Sequence, residues 1–173
     1  MDLWTAINSR YSVRHFVPAK VSEPTVHKIL KAAISAPSAG NRQPWHFVVV
    51  RNPEVKRALE KAAYGQEFVA AAPVVIVVCA DPERSATRYG DRGRELYCLQ
   101  DTAAATEHSM LAVPALGLGG CWVGAFDEQA AARALGLPDH LRAIAMVPIG
   151  QPATGPVQRS QRRPLSEVTS LLE

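Results

Sequence analysis

The chain has 173 residues, 47% of them hydrophobic and 20% charged, which suits one folded domain, 1–173, and excludes a largely disordered chain. Lys and Arg number 19 against 16 Asp and Glu, a net charge of +3 that is too small an excess to indicate a nucleic-acid protein. Cys79, Cys98 and Cys121 are odd in number and widely spaced, which excludes a disulfide framework and paired metal-ligand spacing and predicts small buried thiols.

In chain order, MDLWTAINSR lacks the basic lead-in and apolar core of an export signal. Leu3–Asn8 reads as a short helix. Ser22 is a good N-cap for the next one, in which Val26, Ile29, Leu30, Ala33 and Ile34 make one apolar face. Pro37 and Gly40 end it. His46–Arg51 is a β-branched run and predicts a strand. Pro53–Ala63 is helical, with Pro53 in its first turn. Pro73–Ala80 is apolar throughout, which predicts a strand buried on both faces. Asp91–Leu116 predicts one long central helix that Pro114 kinks or terminates. A glycine-rich turn and a short apolar piece, Cys121–Val123, lead to a helix capped by Asp127 and running to Ala134. Leu141–Ile149 predicts the last strand, and 151–173 an extended C-terminal arm. The longest apolar runs are too short for a membrane helix, so a soluble, cytoplasmic protein is expected. The mixture of elements implies a layered α+β or α/β domain. A doubly wound fold fits less well, because no GxGxxG follows the first strand.

Four clusters could carry chemistry. In Arg10-Tyr11-Ser12-Val13-Arg14, two arginines four apart with a serine between them can converge on one phosphate; a solvated basic turn is the alternative. Pro37-Ser38-Ala39-Gly40-Asn41-Arg42-Gln43-Pro44-Trp45 is a polar loop able to meet a heteroaromatic edge, or an ordinary helix-to-strand connection. In Gly119–Asp127, the N–H groups of Gly124 and Ala125 precede a helix start and can serve as donors, or the segment is simply a tight turn. The arm Arg159-Ser160-Gln161-Arg162-Arg163-Pro164-Leu165 is basic, yet Leu165, Val168, Leu171 and Leu172 suggest that it docks. There is no P-loop, HExxH or CxxC, the five histidines are scattered, and no nucleophile–base pair stands out. Phosphate and ring-edge donors without acid–base machinery point to a bound cofactor that carries the reaction.

Taken in order, these clusters resemble the nitroreductase family over essentially the whole chain. RYSVRHF is similar to the family's Arg–x–Ser–x–Arg phosphate motif, APSAGNRQPWHFVVV to its Pro–Ser–x–x–Asn–x–Gln–Pro–Trp loop, GLGGCWVGAFDE to its flavin-facing turn, and VPIGQPA with RSQRRPLSEV to its closing strand and arginine-bearing tail. The resemblance implies an α+β fold with a central mixed β-sheet flanked by helices, and an intertwined homodimer with FMN at the subunit interface. It implies that Arg10, Ser12 and Arg14 hold the phosphate and ribityl end of FMN, with Tyr11 in the same run, and that Arg162 and Arg163 reach that phosphate through the arm. It places Pro37, Ser38, Ala39 and Asn41 against the flavin of the partner subunit with Gln43 nearby, Gln66 on the polar pyrimidine edge, and the Gly124 and Ala125 N–H groups toward the N5/O4 side of the ring.

The chain departs from the family pattern in three places. Tyr11 stands where a basic residue or His is frequent, Ser160 where larger members carry Lys, and Pro114 lies late in a helix that is usually uninterrupted. The chain also lacks the lid of the dehalogenating and flavin-cleaving relatives. The activity implied is electron transfer from NADH or NADPH to a small acceptor such as a nitroaromatic or quinone, in a ping-pong cycle. A flavin enzyme with a specialised reaction (dehalogenation or desaturation) and a non-catalytic flavin-binding protein are the alternatives. A nucleic-acid binder using the basic ends is a weaker one.

Overall fold

The computed structural model describes residues 1–155 and 160–172; Arg159, in the basic tail run, lies outside them. The elements are α1 (Leu3–Ser9), α2 (Glu23–Ile34), β1 (Trp45–Val50), α3 (Pro53–Ala62), α4 (Phe68–Ala71), β2 (Val74–Ala80), α5 (Pro82–Arg92), α6 (Cys98–Ala115), β3 (Gly119–Gly120), α7 (Glu128–Leu135) and β4 (Arg142–Gly150). Their starts are chemically marked. Ser22 Oγ accepts from Thr25 N, Asn52 Oδ1 from Glu54 N, Asp81 Oδ1 from Arg84 N and Asp127 Oδ1 from Ala130 N, each satisfying a donor the first helical turn leaves open. Gly136, at φ 61°, closes α7 in the left-handed conformation.

The sheet has four strands in the order β1-β2-β4-β3. Its ladders are antiparallel. The sequence resemblance implies a mixed sheet, but among the described residues parallel pairing is confined to one bridge between Ser12 and Gly120. That bridge cannot lengthen, because β3 is two residues long.

β2 is the central strand and all its residues are buried. Alternation sends successive side chains to opposite faces. Val75, Val77 and Cys79 join Leu59, Ala62, Val69 and Ala131 in one core layer under α3, α4 and α7. Val74, Ile76 and Val78 join Val26, Ile29, Met110 and Val113 in the other, under α2 and α6. Helices therefore cover both faces, and a strand apolar at every position is what such burial demands. Cys79, Cys98 and Cys121 are all buried and free, as their apolar settings predict. No described helix is long and apolar enough to cross a membrane.

Helical structure between β2 and β3 differs from the sequence reading. Instead of one helix over Asp91–Leu116, α5 starts at Pro82, a π-turn follows at Gly93–Tyr97, and α6 starts at Cys98. Gly90 breaks the helical path with φ 55° and ψ −140°. Gly93 then packs so close that a Cβ there would stand 2.6 Å from Ser85 O. Pro114 is inside the last turn of α6, which ends one residue later.

Candidate functional site

The Arg10–Arg14 run is extended and pairs with β3: Val13 N donates to Gly120 O at 3.0 Å. Val13 is buried against Gly119, where a Cβ would stand 2.5 Å from Val13 Cγ2. Alternation then places Ser12 and Arg14 on the outer side, and both are exposed. Tyr11 is half-buried, and its hydroxyl donates to Gly155 O at 3.5 Å. Below the run lies Cys121. Burial pushes its thiol up from the ordinary value, while Arg14, the Ser12 side chain and Arg10 pull it back. Neither Arg10 nor Arg14 has a carboxylate partner among the described residues, so their charge is available to an anion.

Arg14 also lies over the Phe68 ring, 5.7 Å from its centroid. Together with Phe16, Glu67 and Ala71 they line an open hollow of about 540 Å³. Two residues earlier, Gln66 Nε2 donates to Ala63 O and to Ala125 O, both at 3.0 Å. The Arg10–Arg14 run, Gln66 and the Gly124–Ala125 turn are therefore linked through α4 within one chain. Gly124 and Ala125 are exposed. Lys56, on the buried face of α3, fastens the end of α4 by donating to Ala72 O at 2.6 Å; burial lowers its pKa.

The Pro37–Gln43 loop is a rigid turn. Gly40, Asn41 and Gln43 have φ of 54°, 54° and 50°. Ser38 Oγ accepts from Gln43 N at 3.0 Å, and Gln43 Nε2 donates to Asn41 Oδ1 at 3.0 Å. Ala39 N donates to Asp101 Oδ1 at 3.1 Å. Asp101 is 7% exposed, its Oδ2 has no partner, and burial raises its pKa while the Ala39 hydrogen bond lowers it. Over the loop lies α5: Tyr89 Oη would be 2.5 Å from a Cβ at Gly40. Pro37 is exposed at the loop's start.

This loop stands at the other end of the sheet from the Arg10–Arg14 run. β2 connects them. Its Val74 end pairs with Ile149, which pairs with Gly120 beside Val13. Its Ala80 end pairs with Trp45, directly after the loop. At about 3.3 Å per residue, the two ends of β2 are ~20 Å apart. Arg162 and Arg163 engage their own segment: Arg162 donates to Ser160 O at 2.9 Å, and Arg163 pairs with Glu167 at 3.1 Å.

Asp101, Phe68 and the α5 residues went unmarked in the sequence. Asp101 had a signal, since Cys98, Thr102 and Ala105 put it on the buried side of a helix where a lone carboxylate is costly. Phe68 and Tyr89 had none, because their contacts are made across distant segments.

A model of the nitroreductase family matches residues 7–66 and 62–151. A protein of Archaeoglobus fulgidus, provisionally named an NADH dehydrogenase/NAD(P)H nitroreductase, is 38% identical over 84% of this chain and 83% of its own length. A Bacillus subtilis protein named FMN reductase [NAD(P)H] is 28% identical over 92% of this chain and 68% of its own. The crystal structure of a nitroreductase family protein from Clostridium difficile 630 superimposes with a TM-score of 0.86 at 34% identity, covering 98% of each chain.

Proposed function

Because the chain belongs to the nitroreductase family, a family of oxidoreductases, we propose that it is an FMN-dependent enzyme that carries electrons from NADH or NADPH to a small acceptor such as a nitroaromatic or quinone. The observation that carries this reading is the separation of two unlike half-sites to opposite ends of β2. One end offers unpaired cations and backbone donors suited to a phosphate and a ring edge. The other offers a rigid, small-residue loop suited to a flat ring face. One chain cannot close them on a single ligand, but two copies related by a twofold axis can, each supplying the end the other lacks.

The donor set fits FMN. Arg10 and Arg14 bind the phosphate as charge-assisted forks and Ser12 adds a hydroxyl donor. Gln66 spends its amide N–H groups on Ala63 O and Ala125 O, which leaves its oxygen to accept from the ring's polar edge and holds the Gly124–Ala125 turn in place. Those two residues present N–H groups to the ring. Pro37, Ser38, Ala39, Asn41 and Gln43 would line the partner's ring, and Arg162 and Arg163 would exchange their contacts with Ser160 and Glu167 for the phosphate when the arm docks. Bound FMN supplies the two-electron carrier, so the protein's work is positioning and electrostatics.

The test is an anaerobic titration of the purified yellow protein with NADH and NADPH. Bleaching of the flavin band by either donor supports the reading. A band that both leave oxidised overturns it in favour of a flavin-binding protein without this activity.

A further inference from the structure

Arginines crowd the surface of α5 next to the Ser38–Asn41 loop. Arg84 and Arg88 are one helical turn apart, Arg92 follows beyond the Gly90 break, and Arg42 approaches from the loop. None of the four has a carboxylate partner among the described residues. The nearby acids Glu83 and Asp91 are both taken by Arg94. Like charges at this spacing oppose the helix, so an anion covering the stripe would relieve their repulsion.

The stripe is also held in shape. Arg42 Nε donates to Arg84 O at 3.0 Å, Arg84 Nε returns a bond to Arg42 O at 2.6 Å, and Arg42 reaches Thr87 Oγ1 at 2.6 Å. Arg88 lies over the Tyr89 ring at 5.5 Å, and Arg92 lies over the Tyr97 ring at 5.3 Å while bonding its hydroxyl at 2.9 Å. The two rings meet edge to face at 5.1 Å. Tyr89 and Arg88 both rest on Gly40. The cationic surface is thus continuous with the loop that the proposed function puts against the flavin.

We infer that Arg88 and Arg92, braced by Arg42 and Arg84, bind the phosphates of the nicotinamide dinucleotide and favour NADPH over NADH. This rests on the flavin reading. A donor whose nicotinamide stacks on the ring beside Ser38–Asn41 must lay its phosphates along the adjoining surface, and guanidinium forks match phosphate oxygens. NADPH carries one phosphate more than NADH, and a stripe of this charge rewards it.

The test compares the FMN-loaded wild type with the double variant R88Q/R92Q and with R57Q, an exposed arginine on α3 as control. Adenosine 2′,5′-bisphosphate is titrated calorimetrically, and KM is measured for both donors. In R88Q/R92Q, probe binding weakens at least tenfold, KM for NADPH rises at least tenfold and by more than KM for NADH, and the flavin spectrum is kept; R57Q behaves as wild type. Equal probe binding and equal KM for NADPH in R88Q/R92Q and wild type, with flavin that both donors bleach, overturn this inference alone. Flavin that neither donor bleaches overturns the underlying reading, and this one with it.

Discussion

Asp101 brings a carboxylate to the buried side of α6, where one oxygen accepts from the Ala39 N–H and the other has no hydrogen-bond partner among the described residues. Its raised pKa means that the unfolded chain gives up this proton first. The group's contribution to stability is therefore whole below about pH 4, the ordinary carboxylate value, and is lost as pH rises through the raised folded value. Asp101→Asn keeps an oxygen for Ala39 and removes the titration. The variant should gain on the wild type as pH rises above about 4 in urea denaturation; a constant difference would sink this account. If Arg14 holds the FMN phosphate as proposed, Arg14→Gln removes a charge-assisted contact worth about 1.5–3 kcal/mol. FMN should then bind roughly tenfold to a hundredfold more weakly, read by fluorescence of released flavin. An unchanged affinity would remove Arg14 from the site.

At the scale of elements, the loop and α5 form one unit. Gly40 is needed twice, for its positive φ and because Tyr89 Oη occupies the space a Cβ would take. Gly40→Ala strains the positive φ and displaces the Tyr89 hydroxyl and the Arg88 side chain, and should lower the melting temperature by several degrees, the shift expected for about 1–2 kcal/mol in a domain of this size. No shift in calorimetry would mean that α5 yields freely. The central strand is less forgiving. Ile76 is fully buried in the layer under α2 and α6, and Ile76→Ala should cost about 2–5 kcal/mol in denaturant unfolding. A loss below 1 kcal/mol would contradict a close-packed layer.

At the scale of the whole molecule, apolar surface is left open where a second copy is expected. Leu3, Trp4 and Ile34 are exposed on α1 and α2, and Leu165, Val168, Leu171 and Leu172 are exposed along the arm. Large exposed apolar side chains of this kind suit burial against a second copy. Deleting residues 156–173 should therefore weaken dimerisation and release FMN, read by light scattering and by the flavin-to-protein absorbance ratio. A truncated chain that stays dimeric and yellow would rule out the arm's part in the site.

Local chemistry made much of this legible. Ser22, Pro53 and Asp127 announce helix starts because a side-chain cap depends only on neighbours in sequence. Pro73–Ala80 announces its double burial because apolar residues at every position suit no other strand environment. The Arg10–Arg14 and Pro37–Trp45 runs are readable as candidate binding segments because each is contiguous. The break at Gly90 was not legible, since glycine permits a kink without demanding one. Asp101 under Ala39, Phe68 under Arg14 and Tyr89 on Gly40 are contacts between segments tens of residues apart. Sequence by itself determined which segments carry donors, caps and apolar faces, all properties of short range. Tertiary structure alone decided that β2 holds the Arg10–Arg14 run and the Pro37–Gln43 loop at opposite ends, because distance between segments is set by strand pairing and packing and is written in no single stretch of residues.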